Sequence, residues 1–209
     1  MFNVCPRCGE YSEEKRIDPS GPFAICPSCG HRHRFVRLPL FVVTGASGTG
    51  KTAAALRLAS EMPDHVWMES DILWRPEFDT PEDGYRTFRN VWLRIAKNIS
   101  QAGRPVVLIG AGVPEQFEAC VERRYFTDLH YLALVCDDAV ITERLAARPA
   151  WRKSASPEFL EQMRSFNGWL RQNAATTAPP MTVLDMSDIS EAETAARIAA
   201  WVTSTARVS

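Results

Sequence analysis

The chain has 209 residues, of which 45% are hydrophobic and 23% are charged, and its formal net charge is −1. This length suits one sizeable α/β domain with a small appendage, and the near-zero charge excludes a global basic field for binding nucleic acid or an anionic membrane. No run approaches the ~18 apolar residues of a membrane span and no signal peptide is evident, so we expect a cytoplasmic protein without a membrane partner.

Two cysteine pairs lie near the start of the chain. Cys5 and Cys8 form one Cys-x2-Cys motif, Cys26 and Cys29 form another, and 17 residues separate the two motifs. Each pair lies in the sequence Cys-Pro-x-Cys-Gly, which is typical of a tight turn that directs two thiolates at one ion. The spacing predicts a structural Zn²⁺ bound by all four thiolates. Two redox-active dithiols are the alternative.

Residues 1–37 therefore resemble a zinc ribbon, and we predict a domain boundary between residues 37 and 38. So small a segment cannot bury much core, and the metal would supply much of its stability. Arg32, Arg34 and Arg37 contribute to a small positive excess, which could contact nucleic acid, although a solvated hairpin explains it as well. The sequence does not indicate an oligomeric state.

A phosphate-binding loop, or P-loop, follows this segment. Residues 45–52 read Gly-Ala-Ser-Gly-Thr-Gly-Lys-Thr, which fits G-x-x-x-x-G-K-[ST] between a β-like run, Leu40–Thr44, and a helical run, Ala53–Met62. Backbone N–H groups of such a loop approach phosphate oxygens, and the positive end of the helix faces the same anion. The residues predicted to bind the nucleotide phosphates are Gly45, Ser47, Gly48, Thr49, Gly50, Lys51 and Thr52. Lys51 would reach the β/γ-phosphates, and the Thr52 hydroxyl would hold Mg²⁺.

Strand and helix patterns alternate after Pro39. Further strands are predicted at His65–Glu69, Pro105–Ile109, His130–Cys136 and Met181–Asp185. Five strands with helices between them predict an α/β fold of the P-loop NTPase type, in which a mostly parallel five-stranded sheet lies between two helix layers.

Three helix starts are marked by capping residues. One is predicted at Thr80–Asp83, and two more follow Ser156 and Ser190. In the first of these helices an apolar stripe repeats at helical spacing and predicts the core-facing side. The stripe consists of Tyr85, Phe88, Trp92, Ile95 and Ile99. Arg86 and Arg89 lie away from it; solvent exposure is the first interpretation of these two arginines, and a contact to substrate is the alternative. Cys120 and Cys136 are interpreted as core residues.

Two acids follow the second predicted strand. Glu69 and Asp71 stand at the carboxyl end of a parallel strand, where open α/β sheets bind ligands. Two positions apart on an extended chain, they face the same side. One could accept a proton from an attacking hydroxyl group, and the other could bind substrate or a Mg²⁺-bound water. Alternatively, Asp71 caps a following helix and Glu69 is an ordinary strand-end acid.

An arginine cluster lies further along the chain. Arg144 and Arg148 are four residues apart on one predicted helix face, Pro149 ends that helix, and Arg152 follows. With the P-loop and the acids, these arginines make residues 39–205 resemble the small P-loop kinases, a group that includes shikimate, gluconate, nucleoside and nucleoside monophosphate kinases.

The resemblance implies a role for each group. It implies ATP and Mg²⁺ as cofactors and a lid at about 148–157 that closes over the phosphates. Arg144 and Arg148 would contact ATP, and Arg148 and Arg152 would stabilise the migrating phosphoryl group. Glu69 would lie near Mg²⁺, and Asp71 would bind the substrate hydroxyl group or act as the base. Glutamate departs from the Asp-x-Asp of shikimate-type kinases, and no Walker B acid is evident because the third strand runs into the glycine-rich residues 110–112.

The function predicted from the residues and the resemblance together is ATP-dependent phosphoryl transfer to a small molecule, with a nucleoside or nucleotide as first choice. Gln116 could read a base or sugar edge, and Trp74, Phe78 and Tyr85 could stack on a base or pack in the core. Two alternatives remain. One is an ATP-binding regulatory adapter whose ribbon contacts nucleic acid or protein, and the other is a phosphotransferase for an antibiotic or metabolite hydroxyl group.

Overall fold

The computed structural model describes residues 3–206. The first part is a small antiparallel sheet of three three-residue strands, β1 (Arg16–Asp18), β2 (Phe23–Ile25) and β3 (Arg32–Arg34), in the order β1-β2-β3. Cys26 and Cys29 lie in the turn that joins β2 to β3. Strands this short bury little apolar surface, so the ribbon segment needs support from outside its own sheet.

A five-stranded sheet forms the body. Its strands are β4 (Leu40–Gly45), β5 (Val66–Glu69), β6 (Val106–Ile109), β7 (Leu129–Val135) and β8 (Thr182–Asp185). All four strand pairs are parallel, in the order β5-β6-β4-β7-β8. The predicted α/β class and the five predicted strands are therefore confirmed, with boundaries that agree to within one residue.

Within residues 3–206, six α-helices cover the two faces of this sheet. They are α1 (Lys51–Glu61), α2 (Arg86–Ser100), α3 (Pro114–Glu118), α4 (Asp138–Ala146), α5 (Pro157–Asn173) and α6 (Glu191–Ala206). As predicted, α5 begins at a capping serine, since the Ser156 hydroxyl accepts a hydrogen bond from the N–H of Phe159. None of the helices within residues 3–206 combines the length and apolar character needed to cross a bilayer.

The alternation of side chains along β4 divides the core into two halves. Leu40 and Val42 face the α2 side, whereas Phe41 and Val43 face the α1 and α6 side, and all four are almost fully buried. Burying a side chain of this size contributes roughly 1.5–3 kcal/mol. Both faces of the sheet therefore hold a helix layer in place, which gives the three-layer sandwich.

The start of α2 differs from the prediction. Pro81–Asp83 forms only a short 3-10 turn, Tyr85 adopts a positive φ of 60°, and α2 begins at Arg86. The Asp83 carboxylate caps the helix by accepting from the N–H groups of Arg86 (3.1 Å) and Thr87 (3.3 Å). Hydrogen bonds from the hydroxyls of Thr80 and Thr87 lower the pKa of Asp83 to about 2. Thr80 thus orients the capping group and does not itself cap the helix.

The buried face of α2 is wider than the predicted stripe. Phe88 and Trp92 are buried as expected, but Arg89 and Lys97 are buried too. The interpretation of Arg89 as solvent-facing is therefore wrong. Leu93 lies four residues after Arg89 and four before Lys97, so the three side chains share one helix face. Because Leu93 is completely buried, both cations also lie on the buried face.

Two histidines flank Phe41 on the α6 side of the sheet. The His130 ring stacks on Phe41 at a centroid distance of 5.4 Å, and the His65 ring contacts it edge-on at 5.9 Å. Within the described range, neither ring nitrogen of His65 has a hydrogen-bond partner. Burial lowers the pKa of both imidazoles. The carboxylate of Asp64 opposes this shift at His65, and that of Asp128 opposes it at His130, but burial has the larger effect.

We predict that thermal stability falls as the pH drops below about 6.5, the ordinary histidine pKa, because the unfolded chain then takes up protons that the folded chain resists. His65→Phe should flatten the dependence of the melting temperature on pH between 7.5 and 5.5. Scanning calorimetry of both proteins measures this, and an unchanged slope in the variant would contradict the prediction.

Candidate active site

The P-loop connects β4 to α1 in a conformation that requires glycine. Gly48 and Gly50 have φ values of 97° and 90°, which residues with a side chain rarely adopt. The Thr49 hydroxyl donates to the carbonyl of Ala46 at 3.0 Å and tightens the turn. The first N–H groups of α1 have no partner inside the helix, so the loop presents a concave set of donors to an anion. The exposed side chain of Thr52 lies in the first turn of α1.

Lys51 is folded back over the loop. Its ammonium group donates to the carbonyls of Gly45 (2.6 Å) and Ala46 (2.8 Å). Burial lowers the pKa of Lys51 to about 8; the nearby carboxylates of Asp71 and Glu69 oppose this shift, and the Arg148 guanidinium adds to it. The ammonium group is therefore a weakly compensated cation at the place where the sequence predicts phosphate binding.

Two helices hold the loop from outside. Arg144, on α4, donates to the carbonyl of Gly48 at 3.1 Å. On the other side, the N–H group of Ser47 donates to the sulfur atom of Met163, on α5, at 3.2 Å. Arg144 thus fixes the backbone of the loop, and Met163 marks the point where α5 approaches it.

A cavity of about 730 Å³ opens beside the loop, where β4, β5 and β6 end. Six of its eighteen lining residues are aromatic. The lining residues are Val42, Ser70, Asp71, Trp74, Asp79, Tyr85, Phe88, Arg89, Trp92, Leu108, Gly110, Ala111, Gly112, Gln116, Phe117, Gln162, Met163 and Phe166. Of the two predicted acids, Asp71 lies in this wall and Glu69 does not. For Phe78, base stacking and core packing were both left open, and the structure packs its ring against Phe88.

The wall next to Asp71 depends on two close backbone contacts. A Cβ at Gly110 would lie 2.6 Å from the Ser70 hydroxyl oxygen, so glycine lets the ends of β5 and β6 approach each other. The buried hydroxyl of Thr44 donates to the carbonyl of Gly112 (2.8 Å) and accepts from its N–H group (3.2 Å). These contacts tie the glycine-rich exit of β6 to the strand that carries the P-loop.

Arg89 and Trp92 bring buried donors to the cavity wall. Arg89 donates to the carbonyl of Gly84, and its guanidinium carbon lies 5.9 Å from the centre of the Phe117 ring. In the part of the chain that the structure describes, Arg89 Nε and Trp92 Nε1 are buried without a hydrogen-bond partner. Burial also lowers the pKa of Arg89. Because buried donors are normally satisfied, this wall suits a ligand that accepts hydrogen bonds.

Gln116 faces the cavity from α3. Its side-chain oxygen accepts from the N–H group of Val113 at 3.1 Å, which leaves the amide nitrogen as the donor for a ligand.

The predicted lid lies between α4 and α5 and contains a short 3-10 turn, Ala150–Arg152. Arg148 is half-buried and close enough to Lys51 to shift its pKa. Arg152 is exposed and rests 5.5 Å from the centre of the Trp151 ring, which is itself 77% exposed. The structure therefore brings Arg144 and Arg148 to the P-loop and leaves Arg152 at the surface.

The four cysteines of the ribbon segment form a separate cluster. The sulfur atoms all lie within 4.8 Å of one another, with 3.7 Å between Cys5 and Cys29 and 3.7 Å between Cys8 and Cys26. A tetrahedral zinc ion with Zn–S bonds of about 2.3 Å requires S–S distances of roughly 3.8 Å. The donor set and its geometry therefore fit a four-thiolate metal site.

The ionisation of these thiols also favours a cation. Burial would raise the pKa of Cys5, but hydrogen bonds from the backbone N–H groups of Cys8 and Arg7 outweigh it and lower the pKa to about 6. A hydrogen bond from the Glu10 backbone opposes the shift at Cys8, yet the neighbouring thiols raise its pKa to about 12. Four thiolates this close together would repel one another, and a bound divalent cation would relieve that repulsion.

Comparison with known proteins identifies the fold. No protein-family model matches the sequence, and no curated protein matches it. A sugar kinase from Janibacter sp. HTCC2649 superposes with a TM-score of 0.61 at 20% identity, over 80% of this chain and 95% of that one. A gluconokinase from Sinorhizobium meliloti 1021 gives 0.57 at 19% identity, over 83% and 96%. Shikimate kinase from Acinetobacter baumannii, in complex with shikimate, gives 0.54 at 15% identity, over 82% and 96%.

This chain has the fold of the small P-loop kinases. Almost the whole length of each neighbour is matched, whereas about a fifth of this chain is left over, close to the length of the ribbon segment. The resemblance seen in the sequence is therefore confirmed at the level of the fold.

Because the pKa of Lys51 is about 8, we predict that a triphosphate binds more weakly as the pH rises above this value. The free protein then loses the ammonium proton that the bound anion requires, so affinity should fall by up to about tenfold per pH unit. Titration with a fluorescent ATP analogue between pH 7 and 9.5 measures the effect. Lys51→Arg is the control, since guanidinium stays protonated there. Equal pH dependence in both proteins would contradict the assignment.

Proposed function

We propose that this protein is an ATP-dependent kinase that transfers the γ-phosphoryl group to a hydroxyl group of a small molecule. One observation carries the proposal: the cavity of about 730 Å³ has Asp71 in its wall and reaches Met163, which accepts a hydrogen bond from the Ser47 N–H group of the P-loop. The same cavity holds donors for an acceptor molecule, so a nucleotide on the loop and an acceptor in the cavity would meet beside Asp71. The kinase fold supports this arrangement.

The phosphate donor would lie in the P-loop. The N–H groups of Gly48, Gly50 and Thr52 would bind phosphate oxygens, and Lys51 would exchange its carbonyl contacts for the β- and γ-phosphates. Mg²⁺, held by the Thr52 hydroxyl and by water near Glu69, would supply charge neutralisation on the phosphates.

Asp71 would act as the general base. Its carboxylate accepts the proton of the acceptor hydroxyl group while the acceptor oxygen forms a bond to the γ-phosphorus. The bond from the γ-phosphorus to the β,γ-bridging oxygen breaks, and ADP leaves with that electron pair. We assign the base to Asp71 and not to Glu69, because only Asp71 lines the cavity.

Each of the three arginines near the P-loop and the lid would have a different role. Arg144 holds the P-loop backbone through Gly48 and would lie near the nucleotide. Arg148 lies close enough to Lys51 to lower its pKa and would place a second cation on the migrating group. Arg152 would reach the phosphates only if the lid segment, about 148–157, closed and carried it inward, and such closure would also exclude water.

We propose a nucleoside as the preferred acceptor. Trp74, Phe88 and Phe117 offer ring faces on which a flat heterocycle can stack, and Gln116 offers an amide donor to its edge. A hydroxyl group of the sugar would then point to Asp71. A nucleoside monophosphate already carries an ionised oxygen and needs no base, so Asp71 favours the nucleoside.

A sugar acid is the second candidate acceptor. The buried Arg89, whose Nε atom has no partner among the described residues, suits a carboxylate. The solved neighbours include a gluconokinase and a shikimate kinase bound to shikimate. The aromatic wall is less suited to an open-chain polyol, which is why this candidate comes second.

We further propose that the four-cysteine cluster holds structural Zn²⁺ and that the chain divides at residues 37 and 38 into ribbon and kinase domains. The tetrahedral spacing of the sulfur atoms supports zinc, and the two separate sheets support the division. An ATP-dependent reaction and six cysteines that form no disulfide suit a cytoplasmic enzyme.

We predict that ADP production in the presence of ATP and Mg²⁺ rises with one or more acceptors from a panel of nucleosides, nucleotides, sugars and sugar acids. Lys51→Ala should reduce turnover by about 10²–10³-fold, and Asp71→Asn by about 10²–10⁴-fold. A coupled assay for ADP measures all three proteins. Turnover stimulated by nucleic acid but by no small acceptor would refute the proposal, and an active Asp71→Asn would remove the base assignment.

The role of Arg89 can be tested with its neighbour as control. Arg89→Met should raise the acceptor KM roughly thirtyfold or more, because a buried donor to the acceptor is lost, and should leave the ATP KM unchanged. Arg86→Met removes an exposed cation from the same helix and should behave as wild type. A larger effect with sugar acids than with nucleosides would make the carboxylate candidate the preferred one. Equal effects of the two variants would exclude Arg89 from the acceptor site.

A further inference from the structure

The ribbon segment contacts a buried ion pair between α2 and the residues that follow α3. Lys97 and Glu122 have fully buried side chains, and Lys97 Nζ lies 2.6 Å from Glu122 Oε2. The same ammonium group donates to the side-chain oxygen of Asn3, also at 2.6 Å. Asn3 belongs to the ribbon segment, so a cation of α2 is shared between the body and the ribbon.

A second cation of α2 repeats this bridge. Arg94 Nη2 lies 2.5 Å from a carboxylate oxygen of Glu13 in the ribbon segment, and Arg94 Nε lies 2.8 Å from Glu122. At the end of α2, the side chain of Gln101 accepts from the N–H group of Val36 (2.9 Å) and donates to its carbonyl (3.1 Å). Two side chains of α2 and one immediately after it therefore hold residues from both ends of the ribbon segment.

The apolar part of the contact is small. Tyr125 packs edge-on against Phe35 at 6.0 Å, and its hydroxyl donates to the carbonyl of Glu13 (2.5 Å) and accepts from the N–H group of Lys15 (3.2 Å). With Ala24, these rings form the only buried apolar cluster that joins ribbon and body within residues 3–206. Polar contacts thus determine the orientation of the ribbon.

The cysteine turn fixes the residues that dock. Backbone hydrogen bonds from Cys5 N–H to the carbonyl of Glu10 (2.8 Å) and from Ser12 N–H to the carbonyl of Asn3 (3.0 Å) close the chain around the first cysteine pair. Asn3 precedes this turn and Glu13 follows it. A metal ion on the cysteines would therefore hold both docking residues in place.

The helix that contacts the ribbon segment also forms part of the wall of the proposed acceptor cavity. Phe88, Arg89 and Trp92 line it, and they lie on the same helix as Arg94 and Lys97. Trp92 is five residues before Lys97, which is about 7.5 Å along the helix axis. A shift of α2 at its docking residues would therefore displace the cavity wall.

We propose that the cysteine turn is a metal-dependent positioning element for the acceptor cavity, which acts through Asn3 and Glu13 on Lys97 and Arg94 and so holds Arg89 and Trp92 in the wall. Its effect on acceptor binding rests on the proposed function, whereas the coupling of the metal to α2 does not. None of these residues touches the P-loop nucleotide site, so the effect is confined to the acceptor.

The first test measures the coupling without any substrate. Amide hydrogen exchange is compared between the zinc-loaded full-length protein and the protein treated with a chelator, with zinc release followed colorimetrically. Metal removal should increase exchange in residues 86–100 and 121–125 and leave α1 and α6 protected. Unchanged protection of α2, or an equal loss in α1 and α6, would overturn the proposal.

The second test keeps all four cysteines. Asn3→Ala removes the oxygen that accepts from Lys97, and it should retain full zinc content, increase exchange in α2 and raise the acceptor KM by about two- to thirtyfold at an unchanged ATP KM. Asn98→Ala, on the exposed side of α2, is the matched control and should behave as wild type. Wild-type exchange in Asn3→Ala would overturn the proposal even if no acceptor were found. Raised exchange without turnover on any acceptor would instead count against the kinase function alone.

Discussion

The parallel pairing of β4 with β6, and of β6 with β5, determines where the groups of the candidate site can lie. Val43 of β4 and Glu69 of β5 both pair with Ile109 of β6, so the three strands end at one edge at nearly the same level. The P-loop leaves β4 there, Asp71 follows β5 and Gly110 follows β6. No contact between side chains is needed to bring these three segments together, because the sheet register has already done so.

Most of this arrangement could be predicted because its signals are local. Five apolar runs, the glycine-rich loop and the spacing of the cysteine pairs are each contained in a short stretch of sequence. Strand polarity then follows from the intervening helices, since a helix between two strands of one sheet returns the chain to the starting edge. The position of Asp71 beside the P-loop is a consequence of these rules, and the fold confirms their premises.

The features that could not be predicted are the burial of Arg89 and the docking of the ribbon segment. They depend on the exact start of α2 and on contacts between residues far apart in the sequence. α2 begins six residues after Thr80, where the Asp83 carboxylate accepts hydrogen bonds from the first N–H groups of the helix. Arg89 belongs to a buried face that the apolar stripe alone did not reveal. Leu93 and Ala96 could have indicated this burial, since both are apolar and lie four and seven residues after Arg89, on the same helix face. Nothing local pairs Asn3 with Lys97, which are 94 residues apart.

The interface between the ribbon segment and α2 shows why a contact such as that of Asn3 with Lys97 can affect the position of the helix. A buried ion pair such as Lys97 and Glu122 gains little net stability, because desolvation offsets most of the attraction, but it tolerates few alternative geometries. The apolar cluster around Tyr125 is too small to hold the ribbon in one orientation by itself. Orientation therefore depends on a complete polar network, and that network is complete only while the cysteine turn presents Asn3 and Glu13. In the proposed arrangement, loss of this network would move α2 and the cavity wall without disturbing the sheet that carries the P-loop.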